Sequence, residues 1–414
     1  MHQSLARLVL ALSGTALTLS AIGCGDGQPE GCNQYVLPSD DDTTTVREAI
    51  VLLEDNQTFC FGPGTYHFTA ELAFSRLDGV TVMGTGTTPA DVVLDFAQQD
   101  AGAKGLNFTA MNDLTVENMT VLDAAADNIF VTTSVGLILR DLVSGWVTRP
   151  MNARGRYAIY PVSSTNVLVE RVEAFGSSDA GIYVGQATNC IVRNSLAHDN
   201  VAGIEIENSI NCEVLDSVAR DNTGGILVFE LPGLPTLGFG TRIANNTITN
   251  NNLANFAEEG TIVSLLPAGT AMMLLAANDV DIDGNTVTGN GTTGALIISY
   301  DTAAAAGAPS TSDPGYDTET ENIWIHGNTF TGNGTMPDPN HDAVRLILAS
   351  GGVTTLEDLI WDGDFATDDD AMTLCIDGTA TFRNIDAAGG FATPSTDRTP
   401  HDCTGTARPP VVLE

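Results

Sequence analysis

The sequence predicts an all-β fold, a single parallel β-helix solenoid with a short N-terminal capping helix. Three observations support this prediction: a recurring four-residue strand pattern, a spacing of 22 or 23 residues between its most regular copies, and Asn- and Gly-rich turns between them. A solenoid of this kind stacks one short unit on the next, and neighbouring units bury a continuous core.

The strand pattern has apolar residues at its first and third positions and mostly polar residues at the second and fourth. This period of two is expected of a half-buried strand with one face turned inward. Copies of the pattern stand at residues 80–83, 114–117, 137–140, 167–170, 190–193, 212–215, 280–283 and 323–326.

The most regular part of the chain lies between residues 158 and 229. Asn166, Asn189 and Asn211 each open the strand that follows a repeat unit there, and asparagine tolerates the left-handed backbone that a tight corner needs. A leucine-rich repeat would need leucine at fixed intervals, which is not seen. A β-sandwich would not place one residue type in the same slot of successive strands. The units begin at residues 158, 181, 203 and 225.

Composition excludes two classes of protein. Sixteen Lys+Arg residues against 52 Asp+Glu give a net charge of −36, and Lys104 is the only lysine of the sequence. Nucleic acids require dense cationic contacts, so we expect no nucleic-acid partner. A chain with 43% hydrophobic and 16% charged residues has enough apolar surface to fold, which excludes disorder.

The first 24 residues are interpreted as an export signal. A basic start and an apolar run over residues 8–19 precede the sequence AIGC at residues 21–24, which resembles the cleavage site of a bacterial lipoprotein signal. The resemblance implies that Cys24 is lipidated; an ordinary signal peptide cut nearby is the alternative. The run is too short to span a bilayer as a stable helix. We therefore expect an envelope lipoprotein, in the periplasm or at the outer membrane, attached to the membrane through lipid alone.

This interpretation divides the chain into three parts. Residues 1–23 are the predicted lipoprotein signal peptide, residues 24–44 a tether, and residues 45–414 the β-helix domain with a C-terminal cap. We expect the domain to be a monomer.

The six remaining cysteines form an even set in an oxidising compartment. Pairs Cys32–Cys60 and Cys375–Cys403 flank the start and end of the folded body, and we predict both as disulfide clamps. Cys190 and Cys212 occupy the same inward slot of adjacent coils, about 4.8 Å apart, within reach of a disulfide. We interpret this pair as buried thiols that act as small core residues, with the disulfide as the alternative.

Residues 45–403 resemble the right-handed parallel β-helix proteins of the pectin-lyase-like superfamily, and more closely a bacterial β-helix lipoprotein family of unassigned activity. The resemblance implies a right-handed solenoid, a capping helix at 45–53 and an opening turn at 62–66. It implies no activity, because fold and chemistry separate readily. The mannuronan epimerases of this superfamily have a signature, Tyr-Gly-x-Asp-Pro-His-Asp, that resembles residues 157–162. This chain has YAIYPV there and lacks the Asp-His-Asp residues of the signature. The segments that carry the closer resemblance are 157–162, 179–186, 201–209 and 224–235.

Outward-facing positions are where the predicted solenoid can meet a ligand. If the isoleucines of the regular block stack inward, Glu205 and Glu207 emerge on one outer face about 6.5–7 Å apart. Two carboxyl groups near that distance can divide acid and base roles in glycoside hydrolysis, and tyrosines beside them can stack on sugars or transfer protons. The predicted catalytic residues are Asp179, Tyr183, Glu205 and Glu207; the predicted substrate-binding residues are Arg156, Tyr160, Phe229 and Glu230.

Long inserts follow these strands at residues 231–240, 253–269 and 300–320. Loops on one flank of a solenoid commonly wall a binding cleft. The alternative for the whole cluster is an ordinary acidic face, because exposed carboxylates also keep an exported protein soluble.

The sequence establishes no cofactor, and calcium is the candidate. Asp-rich runs at 40–42, 362–364 and 368–370 offer the hard oxygen ligands that calcium prefers, although none has EF-hand spacing. No His/Cys spacing indicates zinc, so no metal ligand is assigned.

The predicted function is to bind or process a polysaccharide at the cell envelope. As an enzyme the chain would be a polysaccharide hydrolase or lyase, and the sequence leaves enzyme and binding protein open. The alternative is a non-catalytic envelope scaffold that binds another protein. That alternative predicts an exposed apolar patch around Phe229, Met273 and Leu275.

Overall fold

The computed structural model of the chain describes residues 29–313, 315–364 and 374–414. The predicted signal peptide, Cys24 and the Asp-rich run 368–370 lie outside the described residues. The described strands, in chain order, are β1 (Gln34–Val36), β2 (Thr58–Phe61), β3 (Gly64–His67), β4 (Ala70–Ser75), β5 (Thr81–Gly84), β6 (Val92–Asp95), β7 (Ala101–Thr109), β8 (Asn112–Leu122), β9 (Asp127–Thr132), β10 (Val135–Gly145), β11 (Tyr157–Val162), β12 (Thr165–Phe175), β13 (Ala180–Gly185), β14 (Thr188–Arg193), β15 (Leu196–His198), β16 (Ala202–Glu207), β17 (Ile210–Leu215), β18 (Val218–Arg220), β19 (Gly224–Phe229), β20 (Phe239–Ala244), β21 (Thr247–Thr249), β22 (Thr270–Leu275), β23 (Asn278–Asp283), β24 (Thr286–Thr288), β25 (Thr293–Ile298), β26 (Glu321–His326), β27 (Thr329–Thr331), β28 (Leu359–Trp361), β29 (Leu374–Ile376) and β30 (Phe382–Asn384).

Helices are few. The α-helices are α1 (Asp42–Val51), α2 (Tyr300–Ala305) and α3 (Asp342–Gly351), and short 3₁₀ turns stand at Pro89–Asp91, Met151–Ala153, Ile262–Leu265 and Thr399–His401. None of the described helices is long and apolar enough to cross a membrane.

The strands stack in parallel to form one solenoid. Eleven of them form one sheet, here called sheet 1, which consists of β4, β7, β9, β11, β13, β16, β19, β22, β25, β28 and β30. The others form a second sheet that bends around the remaining two sides, because the long strands β8, β10 and β12 span the bend. The predicted fold class, a right-handed parallel β-helix with few helices, is confirmed.

The N-terminal end of the solenoid is covered by α1. The helix begins at Asp42, three residues before the predicted start, and the side chain of Asp41 caps it by accepting a hydrogen bond from the Thr44 amide at 3.1 Å. Strand β1 pairs in parallel with β2. The segment predicted as a tether therefore contains ordered structure from Gln34 onward.

The core consists of inward columns that contain one residue from each coil. Ile159, Ile182, Ile204 and Ile226 lie opposite one another in β11, β13, β16 and β19, as predicted, and all four are fully buried. Such a column buries apolar surface at every step, and this burial is the main favourable contribution to folding.

Two kinds of asparagine form the corners. Asn166, Asn189 and Asn211 have φ values of 56°, 57° and 55°, so the predicted left-handed corner is confirmed. A second kind forms a buried ladder in which each side-chain amide bonds the next coil: the Asn222 amide donates to Asn251 Oδ1 at 2.9 Å and to the Ala197 carbonyl at 3.0 Å. The members of this ladder are Asn200, Asn222, Asn251, Asn290 and Asn333.

Three disulfides join neighbouring coils. Cys32–Cys60 and Cys375–Cys403 are bonded, as predicted. Cys190 and Cys212 are also bonded, so the interpretation as free thiols is wrong. Direct pairing of the two residues across β14 and β17 places their Cα atoms 4.5 Å apart, within the distance that a disulfide can bridge.

The long inserts flank sheet 1. Residues 231–238 leave its strand β19, residues 250–269 lead into β22, and residues 299–320, which contain α2, leave β25. A fourth insert that the sequence did not reveal, residues 332–358 with α3, leads into β28. Inserts can enter only where the chain turns between strands, because the strands themselves must keep their register.

Replacing Asn222 by alanine should destabilise the solenoid. The substitution removes the acceptor of two buried donors, the Asn200 amide and side chain, and a buried donor without a partner costs about 1–3 kcal/mol. We expect the free energy of unfolding to fall by about 2–4 kcal/mol, measured by urea denaturation. Asn152→Ala, at an exposed position, is the control and should change it by less than about 0.5 kcal/mol. Equal effects would contradict the ladder's role.

The disulfide assignment predicts a thiol count. The chain from residue 25, unfolded in urea without reductant, should react with no thiol reagent, because all six remaining cysteines are paired. Reaction of two thiols that peptide mapping places at Cys190 and Cys212 would restore the original interpretation.

Candidate functional site

The predicted site residues lie on the outward face of sheet 1. Tyr183 of β13 lies opposite Glu205 of β16, and Glu207 lies opposite Gly185 on one side and Phe229 on the other. The outward columns that the sequence predicted are therefore present with the predicted register.

These columns are covered rather than open. Glu205 is 1% exposed, Asp179 7% and Glu207 8%. Inserts 250–269 and 299–320 contribute side chains to the apolar cluster that contains Tyr183, notably Val263, Leu266, Tyr300 and Tyr316. The expectation of a solvent-facing cluster is wrong, because the inserts pack over the strands instead of standing beside them.

The buried polar groups form one hydrogen-bonded cluster. The Tyr183 hydroxyl donates to Glu207 Oε1 at 2.5 Å, and the Tyr157 hydroxyl donates to Asp179 Oδ2 at 3.1 Å. The Glu205 and Glu207 carboxyl groups are close enough that each shifts the pKa of the other. Asp179 Oδ1 and Glu205 Oε2 are buried without a hydrogen-bond partner among the described residues.

Glu205 and Glu207 stand two residues apart on β16, as predicted, but both side chains are enclosed. Hydrolysis of a glycosidic bond needs two carboxyl groups that flank the bond, and the cover over sheet 1 keeps both of these carboxyl groups away from solvent in this structure.

Burial shifts the ionisation of the cluster. Loss of solvation, reinforced by the neighbouring Glu207 carboxyl, raises the pKa of Asp179 to about 7. Burial likewise raises the pKa of Glu205 well above its ordinary value, reinforced by Asp179 and Glu207, and it raises the pKa of Glu207. Like charges at close range cannot all ionise in a low dielectric, so the cluster holds at least one proton near neutral pH.

Four aromatic rings lie beside the carboxyl cluster. Tyr157 is 4.3 Å from Tyr160 and 4.7 Å from Tyr183 between ring centroids, and Phe130 is 5.1 Å from Tyr160. Phe130, Tyr157 and Tyr160 are only half-buried. We call these three residues the aromatic mouth, since they are the accessible side of the cluster.

Charged side chains border the aromatic mouth. Arg156, with half of its side chain exposed, pairs with Glu258 of the insert 250–269 at 2.6 Å. Lys104 Nζ lies 3.2 Å from Asp127 Oδ2 and 3.7 Å from the centroid of the Phe130 ring. The sequence did not reveal that Lys104, Asp127 and Phe130 belong to this site, because β7 and β9 lack the repeated strand pattern that fixed the register. The one signal in the sequence that could have pointed to this part of the site is Lys104, the single lysine of the chain.

Two predicted substrate-binding residues are enclosed. Glu230 accepts hydrogen bonds from the Asn208 side chain at 2.8 Å and from the Gly238 amide at 2.6 Å, so it anchors the insert 231–238. Burial raises its pKa to about 8. Phe229 is buried in the apolar cluster. Neither residue reaches the accessible surface beside Tyr160, which corrects the predicted binding set.

The described residues contain no group of three or more His, Cys, Asp or Glu side chains that could hold a metal ion. Asp42 instead accepts hydrogen bonds from the Ser39 and His67 amides, and Asp362 accepts them from Ser299 and Thr302. Asp42 and Asp362, from two of the Asp-rich runs, therefore have structural roles as hydrogen-bond acceptors. Calcium binding stays a prediction.

One protein family matches part of the chain. Residues 145–341 match the profile of a family described as periplasmic copper-binding protein (NosD). The matched part includes Arg156, the aromatic mouth except Phe130, and the carboxyl cluster. No curated protein matches the sequence significantly.

Solved structures with a similar fold include three polysaccharide-active enzymes. The A-module of a mannuronan C-5 epimerase from Azotobacter vinelandii is 14% identical, with a TM-score of 0.49, over 81% of this chain and 89% of that chain. An alginate lyase from Paenibacillus sp. is 13% identical, with a TM-score of 0.44, over 72% of this chain and 97% of that chain. The polygalacturonase of Erwinia carotovora is 9% identical, with a TM-score of 0.43, over 76% of this chain and 96% of that chain. At these identities the likenesses concern the fold alone and say nothing about activity.

The buried carboxyl cluster predicts an unusual pH dependence. A carboxyl group whose pKa is raised in the folded state binds its proton more tightly there than in the unfolded chain. Stability from these groups is therefore present at low pH and is lost as pH rises from about 4.5 toward 7. Glu205→Gln removes one such group, so its melting temperature should exceed that of the unsubstituted protein at pH 7 by at least about 2 °C.

The comparison needs two pH values and a matched control. The advantage of Glu205→Gln should shrink at pH 4.5, and Glu259→Gln, at an exposed position, should show no such difference. An advantage that is equal at both pH values, or absent at pH 7, would contradict a protonated cluster.

Proposed function

We propose that this chain is a lipid-anchored protein of the cell envelope that binds an uncharged polysaccharide at the aromatic mouth. The observation that carries the proposal is the set of half-buried rings Phe130, Tyr157 and Tyr160 on one face of the solenoid. Aromatic rings give large contact area at low entropic cost, and their faces stack on the apolar sides of sugar rings.

The carboxyl cluster has a positioning role in this proposal. Asp179 and Glu207 hold the hydroxyl groups of Tyr157 and Tyr183, and these two rings contact Tyr160. The platform is thereby fixed before a ligand arrives, which lowers the entropy lost on binding. The predicted catalytic residues become supports for the binding surface.

Charge favours a neutral ligand over a polyuronate. Among the described residues around the rings, Lys104 and Arg156 are the cations beside Asp127, Asp179 and Glu207, and both are already paired with carboxylates. A polyanion would have to displace these pairs in the field of a chain with net charge −36, which opposes association.

Export and lipid attachment are part of the proposal. The sequence ending in Cys24 supports lipidation, three disulfides suit an oxidising compartment, and the matching family is described as periplasmic. The scaffold alternative gains no such support. Phe229, Met273 and Leu275, which would have formed its exposed apolar patch, are all buried.

A glycan panel tests the proposal on the chain from residue 25, which contains every described element. We expect a neutral glycan to bind with and without chelator, and Tyr160→Ala to weaken binding at least tenfold, about 1.4 kcal/mol, in calorimetry. Phe239→Ala is the matched control, an aromatic residue 43% exposed on the other sheet, and should leave the affinity unchanged.

The same incubations are assayed for new reducing ends and unsaturated uronates. Product that is lost in Glu207→Gln would overturn the binding-only role and establish an enzyme. Failure of every glycan to bind would overturn the carbohydrate function.

A further inference from the structure

A cavity lies over sheet 1, and its floor begins four coils after Tyr160 of the aromatic mouth. Its floor is the outward column Met273, Leu296 and Ile360, which lie opposite one another in β22, β25 and β28. The cavity has a volume of about 890 Å³, within the range of roughly 300–1,000 Å³ found for small-molecule sites. We call it the C-terminal cleft.

Two helices from different inserts form the walls. Helix α2 lines the cleft with the small side chains of Ala303 and Ala305, and α3 lines it with Val344 and Ile347. The alanines leave the volume open, whereas the branched residues of α3 make the opposite wall continuous and apolar.

The cleft lies between two apolar clusters, and Leu296 of its floor packs against both of them. Val263, Met273 and Ala303 belong to the cluster over the middle of sheet 1, and Val344 and Ile360 belong to a cluster of their own. Protein interiors are close-packed and contain few voids larger than a water molecule. An apolar gap of this size is therefore a place where a ligand would regain contacts that the two helices do not make with each other.

The charged groups at the cleft are acidic. Asp301, Asp342 and Asp364 line it, and the described lining residues include no lysine or arginine. Asp342 pairs with Arg345 on the same helix, which leaves the other two carboxylates without that compensation. An anionic head group would be repelled here.

A polar cavity of about 510 Å³ adjoins the cleft and shares Asn340 and His341 with it. Asn252, Asn255 and Ser264 also line this second cavity, and they offer neutral hydrogen-bonding groups. His341 Nε2 lies 3.0 Å from the Leu265 carbonyl, whereas its buried Nδ1 has no partner among the described residues. A group that donates a hydrogen bond would satisfy that nitrogen.

We propose that the C-terminal cleft binds a neutral amphiphile, with its aliphatic chain between α2 and α3 and an uncharged, hydrogen-bonding head beside Asn340 and His341. The apolar floor and walls select the chain, the acidic rim rejects anions, and the adjoining polar cavity accommodates the head. This site is separate from the aromatic mouth, and the inference does not depend on the proposed polysaccharide function.

The test uses the chain from residue 25 and the neutral fluorescent probe N-phenyl-1-naphthylamine. We expect saturable binding of one probe per chain and displacement by dodecyl maltoside below its micellar concentration. Dodecanoate, with the same alkyl chain and an anionic head, should need at least a tenfold higher concentration. Equal displacement by the two competitors, or no saturable probe binding, would overturn the proposal.

Two substitutions from opposite sides locate the site. Leu296→Trp on the floor and Ala305→Leu on α2 each fill volume, and each should weaken probe binding at least tenfold. Leu168→Trp is the matched control, a half-buried leucine on the other sheet, and should bind the probe normally. Circular dichroism checks the fold of each variant, and Ala305→Leu decides if Leu296→Trp does not fold. Undiminished binding in a folded cleft variant would overturn the assignment.

Discussion

Register between coils is the constraint on which this molecule depends. Each strand must return directly above its predecessor, about 4.8 Å away, so a residue in one coil has a fixed neighbour in the next. The left-handed corners at Asn189 and Asn211 and the amide ladder through Asn222 enforce that return with hydrogen bonds that are satisfied only in register. A one-residue slip would turn every core side chain outward. Variation is thereby confined to the corners, where the inserts 250–269 and 299–320 enter.

That constraint also explains why the chemistry is distributed along columns. Since one coil contributes one outward residue to each column, the character of sheet 1 changes only from coil to coil. A single outward column passes from Phe130 through Tyr160 and Tyr183 to Glu205 and then to Leu227. Aromatic, acidic and apolar zones follow one another along the solenoid axis, and the inserts leave the first zone partly open and enclose the second.

The sequence predicts the features that depend on periodicity, such as strand register. It does not predict the features that depend on packing between distant segments, such as which side chains are covered. The period of two and the spacing of 22 or 23 residues were enough to place Ile182 above Ile159 and Glu205 beside Tyr183. They could not show that the insert 250–269 packs over this part of sheet 1 and buries Glu205, because contacts between residues far apart in sequence leave no local sequence pattern. Cys190 was placed correctly opposite Cys212, yet slot position alone does not distinguish a bond from two thiols. Lys104 was missed because its strand lacks the repeat motif.

The fold does not require the buried acids. On the second sheet, buried or half-buried carboxylates have cationic partners in the next coil, as Glu170 has Arg193 and Glu213 has Arg242. Glu205 has no such partner among the described residues, and an uncompensated buried carboxyl group is costly. The next coil of the same column places Leu227 there, so an apolar residue fits the slot. Since packing would favour leucine at this position, the acid at Glu205 lowers the stability of the solenoid. Costly buried ionisable groups concentrate at functional sites, so Glu205 adds a second physical argument, beside the half-buried rings, for the proposed binding surface.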